Sequence, residues 1–417
     1  MIPLAELDRL AVIHNVNAVN QIKLPGQVVF LCLLNTLLNG PKVTQRFLEA
    51  VYERWLIEDV HYSSFSKRLA VIKPAYFAAL FRALHRRVQP LIRFGEERAL
   101  RLRIVDATEV VLSAKLLSFG IHFRSGGKAG TGHNKRHVKS VLTLSEEGWP
   151  DFLHLCREQK EASDNVALGD AMVEATQPGE LWIVDGGLTD RDRMLAIHQK
   201  QGFFLVPHQQ QRWRVLQRVC VAPTLDAEAE RSALLEAAKE QARQAGKRLS
   251  PPCRLLGVEE AVFENSDDAV RSSRQEQWAK MPLLVFLCER YDVRRGQWKP
   301  WVLLTNLPLS ADGKQAGPYR LEEIPELYRR RWEIELFIKF VKQHLSYAHL
   351  TSRCANGIAV MIWMALIAAV LLIWYQRQTG NDRGWRVVKY WLSENAREWL
   401  GWALQEALRA QRGAAPG

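Results

Sequence analysis

The run Gly357–Tyr375 sets the hardest condition on how this chain folds, because it contains no charged residue. As a helix it would be ~28 Å long, enough to cross a bilayer. It is the only such run in the sequence, and it is rich in Ala and Met rather than uniformly Leu or Val. A helix that is apolar on every side can equally be the central helix of a large domain. The run follows directly on a polar-faced helical segment, so a buried central helix is expected, with no membrane partner.

That polar segment, Tyr328–Lys342, reads Tyr-Arg-Arg-Arg-Trp-Glu-Ile-Glu-Leu-Phe-Ile-Lys-Phe-Val-Lys. Leu327, Ile334, Ile338, Val341 and Leu345 keep the three-four spacing of one amphipathic helix. With Arg331 at zero and ~100° per residue, Ile334, Ile338, Val341 and Leu345 form a stripe between roughly 280° and 340°. Arg331, Lys342, Glu335 and Tyr328 lie beside it, between roughly 0° and 60°. Glu333 falls near ~200°, so Glu335 is the acid set among cations next to the core. Most charge runs of this kind are salt-bridged surface helices, and the segment alone does not decide its use.

At 417 residues the chain can form two or three domains. Its formal net charge of +12 favours a polyanionic partner, nucleic acid before an anionic membrane. The six cysteines are scattered without a CxxC, which suits reduced thiols and supplies no disulfide or zinc framework. His133 and His137 lack a third ligand nearby, and Lys135 and Arg136 between them suit phosphate contact better. The N-terminus shows no basic-then-apolar signal peptide.

Residues 1–97 read as helical. Two short helices, Lys67–Val71 and Ala75–Val88 after Pro74, are compatible with a helix-turn-helix-like DNA reader. Lys67, Arg68, Lys73, Arg82, Arg86 and Arg87 would contact phosphate. Over 98–206 the period changes to strands at Leu100–Leu112, His137–Ser145, Phe152–Cys156, Leu181–Val184 and Phe203–Val206. Helices Asn165–Ala175 and Arg191–Gln201 interleave with them, and a cation-rich loop spans Gly120–Arg136. Residues 207–312 are irregular and β-rich, interrupted by a polar helix within Asp226–Gly246. The acidic helix lies in 313–350, and 351–417 is helical with a disordered tail. The sum is an α/β fold flanked by helical regions.

Three acids stand out: Asp106 in one strand, Asp185 at the end of another, and Glu335 on the helix. Carboxylates so placed can hold two divalent cations that serve phosphodiester chemistry. All-oxygen ligands select magnesium or manganese. For each Asp alone, a strand-end cap or turn former is an equally good reading. Asp190 and Asp192 compete with Asp185, but their Thr-Asp-Arg-Asp setting reads as a helix N-terminus.

With these residues in view, the chain resembles bacterial DDE transposases of the YREK, or insertion sequence four, group. Tyr328, Arg331, Glu335 and Lys342 match the signature Tyr-x2-Arg-x3-Glu-x6-Lys without a gap. Ile-Val-Asp106-Ala-Thr and Trp-Ile-Val-Asp185-Gly-Gly match the settings of the first two acids. The resemblance implies an RNase H-like catalytic core with a β-rich insertion between the second Asp and the Glu. It implies two-metal nicking of double-stranded DNA at terminal inverted repeats, then strand transfer to target DNA, with hairpin ends in better-known members. Asp106, Asp185 and Glu335 would be the catalytic metal ligands. Tyr328, Arg331 and Lys342 would grip the DNA end, with Lys339 one turn away. Trp301, in Trp-Val-Leu-Leu-Thr, matches the tryptophan that holds a flipped base, and Trp332 is a second aromatic candidate. An ordinary core role for Trp301 is equally open. A homodimer on DNA is implied, in a bacterial cytoplasm, at the nucleoid when acting. A catalytically silent, transposase-derived DNA-binding protein is the alternative, and the presence of all three acids argues against it.

Overall fold

The computed structural model describes every residue except 1, 18–22, 41–42, 57, 89–99, 112–120, 123–135, 187–189, 208–212, 222–225, 245, 247–248, 250, 265–272, 279, 348–351, 353, 382 and 414–417. Most of the expected 120–136 loop, with His133, and the last tail residues lie outside the described residues. The chain opens with helices α1 (Leu4–Ile13), α2 (Gly26–Asn39), α3 (Gln45–Leu56), α4 (Tyr62–Val71) and α5 (Pro74–Val88). Pro74 starts α5 where a helix tolerates the missing N–H.

An alternating stretch follows: β1 (Arg101–Val111), β2 (Ile121–His122), β3 (Arg136–Ser145), β4 (Pro150–Leu155), α6 (Asp164–Ala175), β5 (Glu180–Ile183), α7 (Arg191–Gln199) and β6 (Phe203–Pro207). Next come β7 (Trp213–Val221), α8 (Ala227–Gln244), β8 (Cys253–Phe263), α9 (Ser273–Trp278), β9 (Leu283–Asp292) and β10 (Gln297–Thr305). The chain ends with β11 (Gln315–Ala316), β12 (Tyr319–Arg320), α10 (Glu323–Arg329), α11 (Trp332–His344), α12 (Ala355–Thr379) and α13 (Trp385–Gly413).

β1 pairs antiparallel with β3 and parallel with β5, β3 pairs antiparallel with β4, and β5 runs parallel to β6. The resulting order β4-β3-β1-β5-β6, three antiparallel strands followed by two parallel to β1, is RNase H-like. The β-rich stretch joins this same sheet, because β10 pairs antiparallel with β6, and β9, β8 and β7 follow in antiparallel order. Its helix α8 buries none of its residues, as its polar sequence requires.

The sheet carries an apolar layer on each side. Val105, Trp182 and Val184 face α6 and α7, while Ile104, Leu102 and Ile183 face α11 and the helical body. The centre of that body is α12, which packs against α2, α4, α5 and α13. It is long and apolar enough to span a bilayer, yet 89% of its most apolar window is buried inside the protein. It is therefore the central buried helix its composition suggested, closed by left-handed Gly380 (φ 61°).

Two expectations need correction. The segment 328–342 is not one helix, because α10 ends at Arg329 and α11 starts at Trp332. Between them the amides of Arg330, Arg331, Glu333 and Ile334 each donate to the carbonyl three residues back. This tightening shifts the helical phase, so Tyr328 leaves the polar face and is buried. Arg68 also departs from its expected role. Its side chain is buried, and its guanidinium donates to the Leu24 carbonyl at 2.8 Å and to that of Val16. It ties α4 to the segment before α2, whereas Lys67, Lys73, Arg82, Arg86 and Arg87 are exposed.

Candidate active site

The parallel pairing of β1 and β5 sets Ile104 against Ile183, and both belong to the apolar layer beneath α11. Side chains alternate along strands, so Asp106 and Asp185, each two residues further on, follow the same face at the same level. They emerge just beyond the point where the parallel pairing of β1 with β5 stops, while β1 itself runs on to Val111 beside β3. Above them α11 buries Ile334, Phe337, Ile338 and Val341 against the sheet, and this seating sets Glu335. Side chains at Arg331 and Glu335 lie one turn apart, and the guanidinium donates to Glu335 Oε1.

The electrostatics register this convergence. Burial pushes the Asp106 carboxyl up to about 6, against a hydrogen bond from the Ala107 amide at 2.8 Å and the nearby Arg331. Asp185 and Glu335 push it further in the same direction. Three elements thus bring Asp185 and Glu335 within the field of Asp106, whose carboxyl is hard to ionise without an added cation. Arg331 resists burial and keeps its charge through Tyr328, Glu335 and Asp185. Burial lowers the Lys342 ammonium, while Glu109 and Asp106 hold it up, so Lys342 reaches toward β1.

Trp301 sits half-buried with the Tyr328 ring edge-on, centroids 5.2 Å apart, and the Arg290 guanidinium carbon 5.4 Å from its ring centre. Trp332 is exposed at the start of α11, and Lys339 is exposed further along it. Asp190 caps α7, accepting from the amides of Asp192 and Arg193, which settles its competition with Asp185 in favour of capping. Arg290 was missed by the sequence reading. The short turn between β9 and β10 could have revealed it, because that hairpin pairs Arg290 with Lys299 and Trp301 with Cys288.

A second group of metal-type side chains, His154, Cys156 and Glu161, lies elsewhere on the molecule. Glu161 already accepts from the amides of Arg157 and Glu158 and bonds His154 at 2.6 Å, so its oxygens are engaged.

The family model for the transposase DDE domain matches residues 97–371, well over half of the chain and the whole of this site. The chain belongs to the DDE transposase family. Among its relatives, a putative transposase for insertion sequence element IS4SA of Synechocystis sp. is 39% identical over 70 residues. That match covers 17% of this chain and 20% of the relative. A probable transposase for insertion sequence element IS5377 of Geobacillus stearothermophilus is 38% identical over 58 residues, 14% of this chain and 15% of the relative. The chain thus aligns with only about a fifth or less of each of these relatives. Among solved structures, a piggyBac transposase synaptic complex with hairpin DNA is similar at TM-score 0.44 and 11% identity. That likeness covers 96% of this chain and 74% of the other. Within the matched span, Asp185 and Glu335 both lie close enough to Asp106 to raise its carboxyl.

Proposed function

We propose that this DDE transposase cuts and rejoins DNA at the ends of an insertion sequence, with Asp106, Asp185 and Glu335 as catalytic residues. The observation that carries the reading is the convergence of these acids from β1, the end of β5 and α11, where each raises the electrostatic demand for a cation. The donor set fits two magnesium or manganese ions: every candidate ligand atom is a carboxylate oxygen, and the charge is incompletely neutralised. Such ions, when bound, would activate the attacking oxygen and stabilise the leaving oxygen of a phosphodiester.

The chain's own residues would do the rest. Arg331 holds the Glu335 carboxylate in place through one oxygen and leaves the other free of that contact. Lys342 and Lys339 offer ammonium groups to phosphate, and among the described residues neither pairs with an acid. Tyr328 supports Trp301, whose indole would meet a displaced base, and exposed Trp332 offers a second stacking surface. The partners are double-stranded terminal repeats and target DNA, engaged by a homodimer.

The test is cleavage of a duplex bearing the element's terminal repeat, with magnesium. Glu335→Gln, Asp106→Asn and Asp185→Asn should each abolish cutting and leave duplex binding in place. Wild-type cutting by Glu335→Gln would sink the assignment.

A further inference from the structure

The cations around the acidic site are not equivalent. Arg331 is tied to Glu335, Arg330 to Glu333, Arg329 to Glu326, and Lys299 to Asp292 at 2.6 Å. Arg290 is exposed and pairs with no acid among the described residues. It stands on β9, two residues before that strand ends at Asp292, and its guanidinium is held over the Trp301 indole. From there a continuous series of contacts leads to the chemistry. Arg290 lies on Trp301, Trp301 on Tyr328, and the Tyr328 phenol lies within the fields of Arg290, Arg331 and Asp185.

A guanidinium held by a ring face keeps its N–H donors at its rim, since stacking uses none of them. Without a carboxylate partner those donors are free for an incoming anion, and planar bidentate contact with phosphate is what the group does best. A surface arginine with only a structural purpose would gain from an acid neighbour, as Arg329, Arg330, Arg331 and Lys299 do here, whereas Arg290 shares its lack of one, among the described residues, with Lys339 and Lys342, the cations already assigned to phosphate. We propose that Arg290 is a positioning residue of the site: stacked on Trp301, it clamps a backbone phosphate of the DNA strand led toward Asp106, Asp185 and Glu335. The inference rests on the DNA-cutting reading above and adds to it the residue that aligns the strand from the β-rich side of the sheet.

The experiment measures binding of the full chain to a fluorescein-labelled duplex carrying the terminal repeat that borders its coding element, across a salt series without divalent metal. Arg290→Gln should weaken binding and flatten the slope of log affinity against log salt by about 0.9, the value of one phosphate contact on duplex DNA. Arg290→Lys should restore the slope, because a point charge still reaches phosphate, while cleavage with magnesium recovers only in part through loss of the flat clamp. Thermal melting of both variants should match wild type, since the side chain is exposed and unpaired. If wild type binds and cuts while Arg290→Gln keeps the wild-type slope, the inference falls and the DNA-cutting reading stands. If wild type neither binds nor cuts this duplex, both fall.

Discussion

Replacing Asp106 by Asn should make the metal-free protein more stable while it abolishes cleavage. Burial moves this carboxyl from 3.8 to about 6, and Asp185 and Glu335 add to the shift against Arg331 and the Ala107 amide. The folded chain therefore binds the Asp106 proton more tightly than the unfolded chain. Stability associated with the protonated form is fully present below about pH 4 and is lost as pH rises through about 6. At ~1.4 kcal/mol per pKa unit, the ionised carboxylate destabilises the fold by about 3 kcal/mol above pH 7. Asn keeps the shape and can accept the 2.8 Å hydrogen bond from Ala107 without the charge. Urea unfolding in chelator should show a gain of about 3 kcal/mol at about pH 8, roughly half of that at about pH 5, and none below about pH 4. Magnesium should reverse the ranking near pH 8. At a hundredfold excess over its dissociation constant it would stabilise wild type by about 2.7 kcal/mol and Asp106→Asn far less. A variant no more stable than wild type near pH 8, or a gain independent of pH, would refute the electrostatic account of the site.

Two further predictions concern the helical body. Arg68→Ala removes a buried charged donor from the Leu24 and Val16 carbonyls and should lower stability by about 2–4 kcal/mol, seen as an earlier urea midpoint. The salt dependence of DNA binding by the folded fraction should stay at the wild-type slope, which a phosphate-contacting Arg68 would not allow. Gly401→Ala should also destabilise, although alanine favours helix. A Cβ at 401 would lie 2.2 Å from the Trp55 ring, so the ring or α13 must shift, at about 1–3 kcal/mol by thermal melting.

Much of the fold was legible because its signals are local. The alternating Leu100–Leu112 stretch became β1, Pro74 started α5, and the uncharged run became α12. What the sequence withheld was pairing. Nothing local says that β10 attaches to β6, so the β-rich stretch could not be read as continuous with the core sheet. Burial of α12 depends on helices from both ends of the chain closing around it, which composition permits but does not specify. Arg68 shows the same limit for a single residue. A cation in a helix looks solvent-facing until its neighbours are known, and here two carbonyls more than forty positions upstream claim it.

In the candidate site, the placing of the acids was legible and the facing of Tyr328 was not, for one reason. Asp106 and Asp185 lie two residues beyond paired isoleucines in strands that the sequence already outlined, so only the pairing of β1 with β5 was needed to bring them together. Glu335 follows from the apolar stripe of α11, which survives the break before it. Tyr328 does not, because a helical wheel carries its phase across Arg330 and Arg331, where the backbone tightens to three-residue hydrogen bonds. That change of phase turns the phenol inward onto Trp301 and leaves Arg331 to bond Glu335. The break therefore separates two tasks that one straight helix would have laid side by side: α11 presents the acid, and the end of α10 supports the indole under Arg290. A phosphate clamp on Arg290 would then approach from the hairpin side, while Lys339 and Lys342 approach from α11.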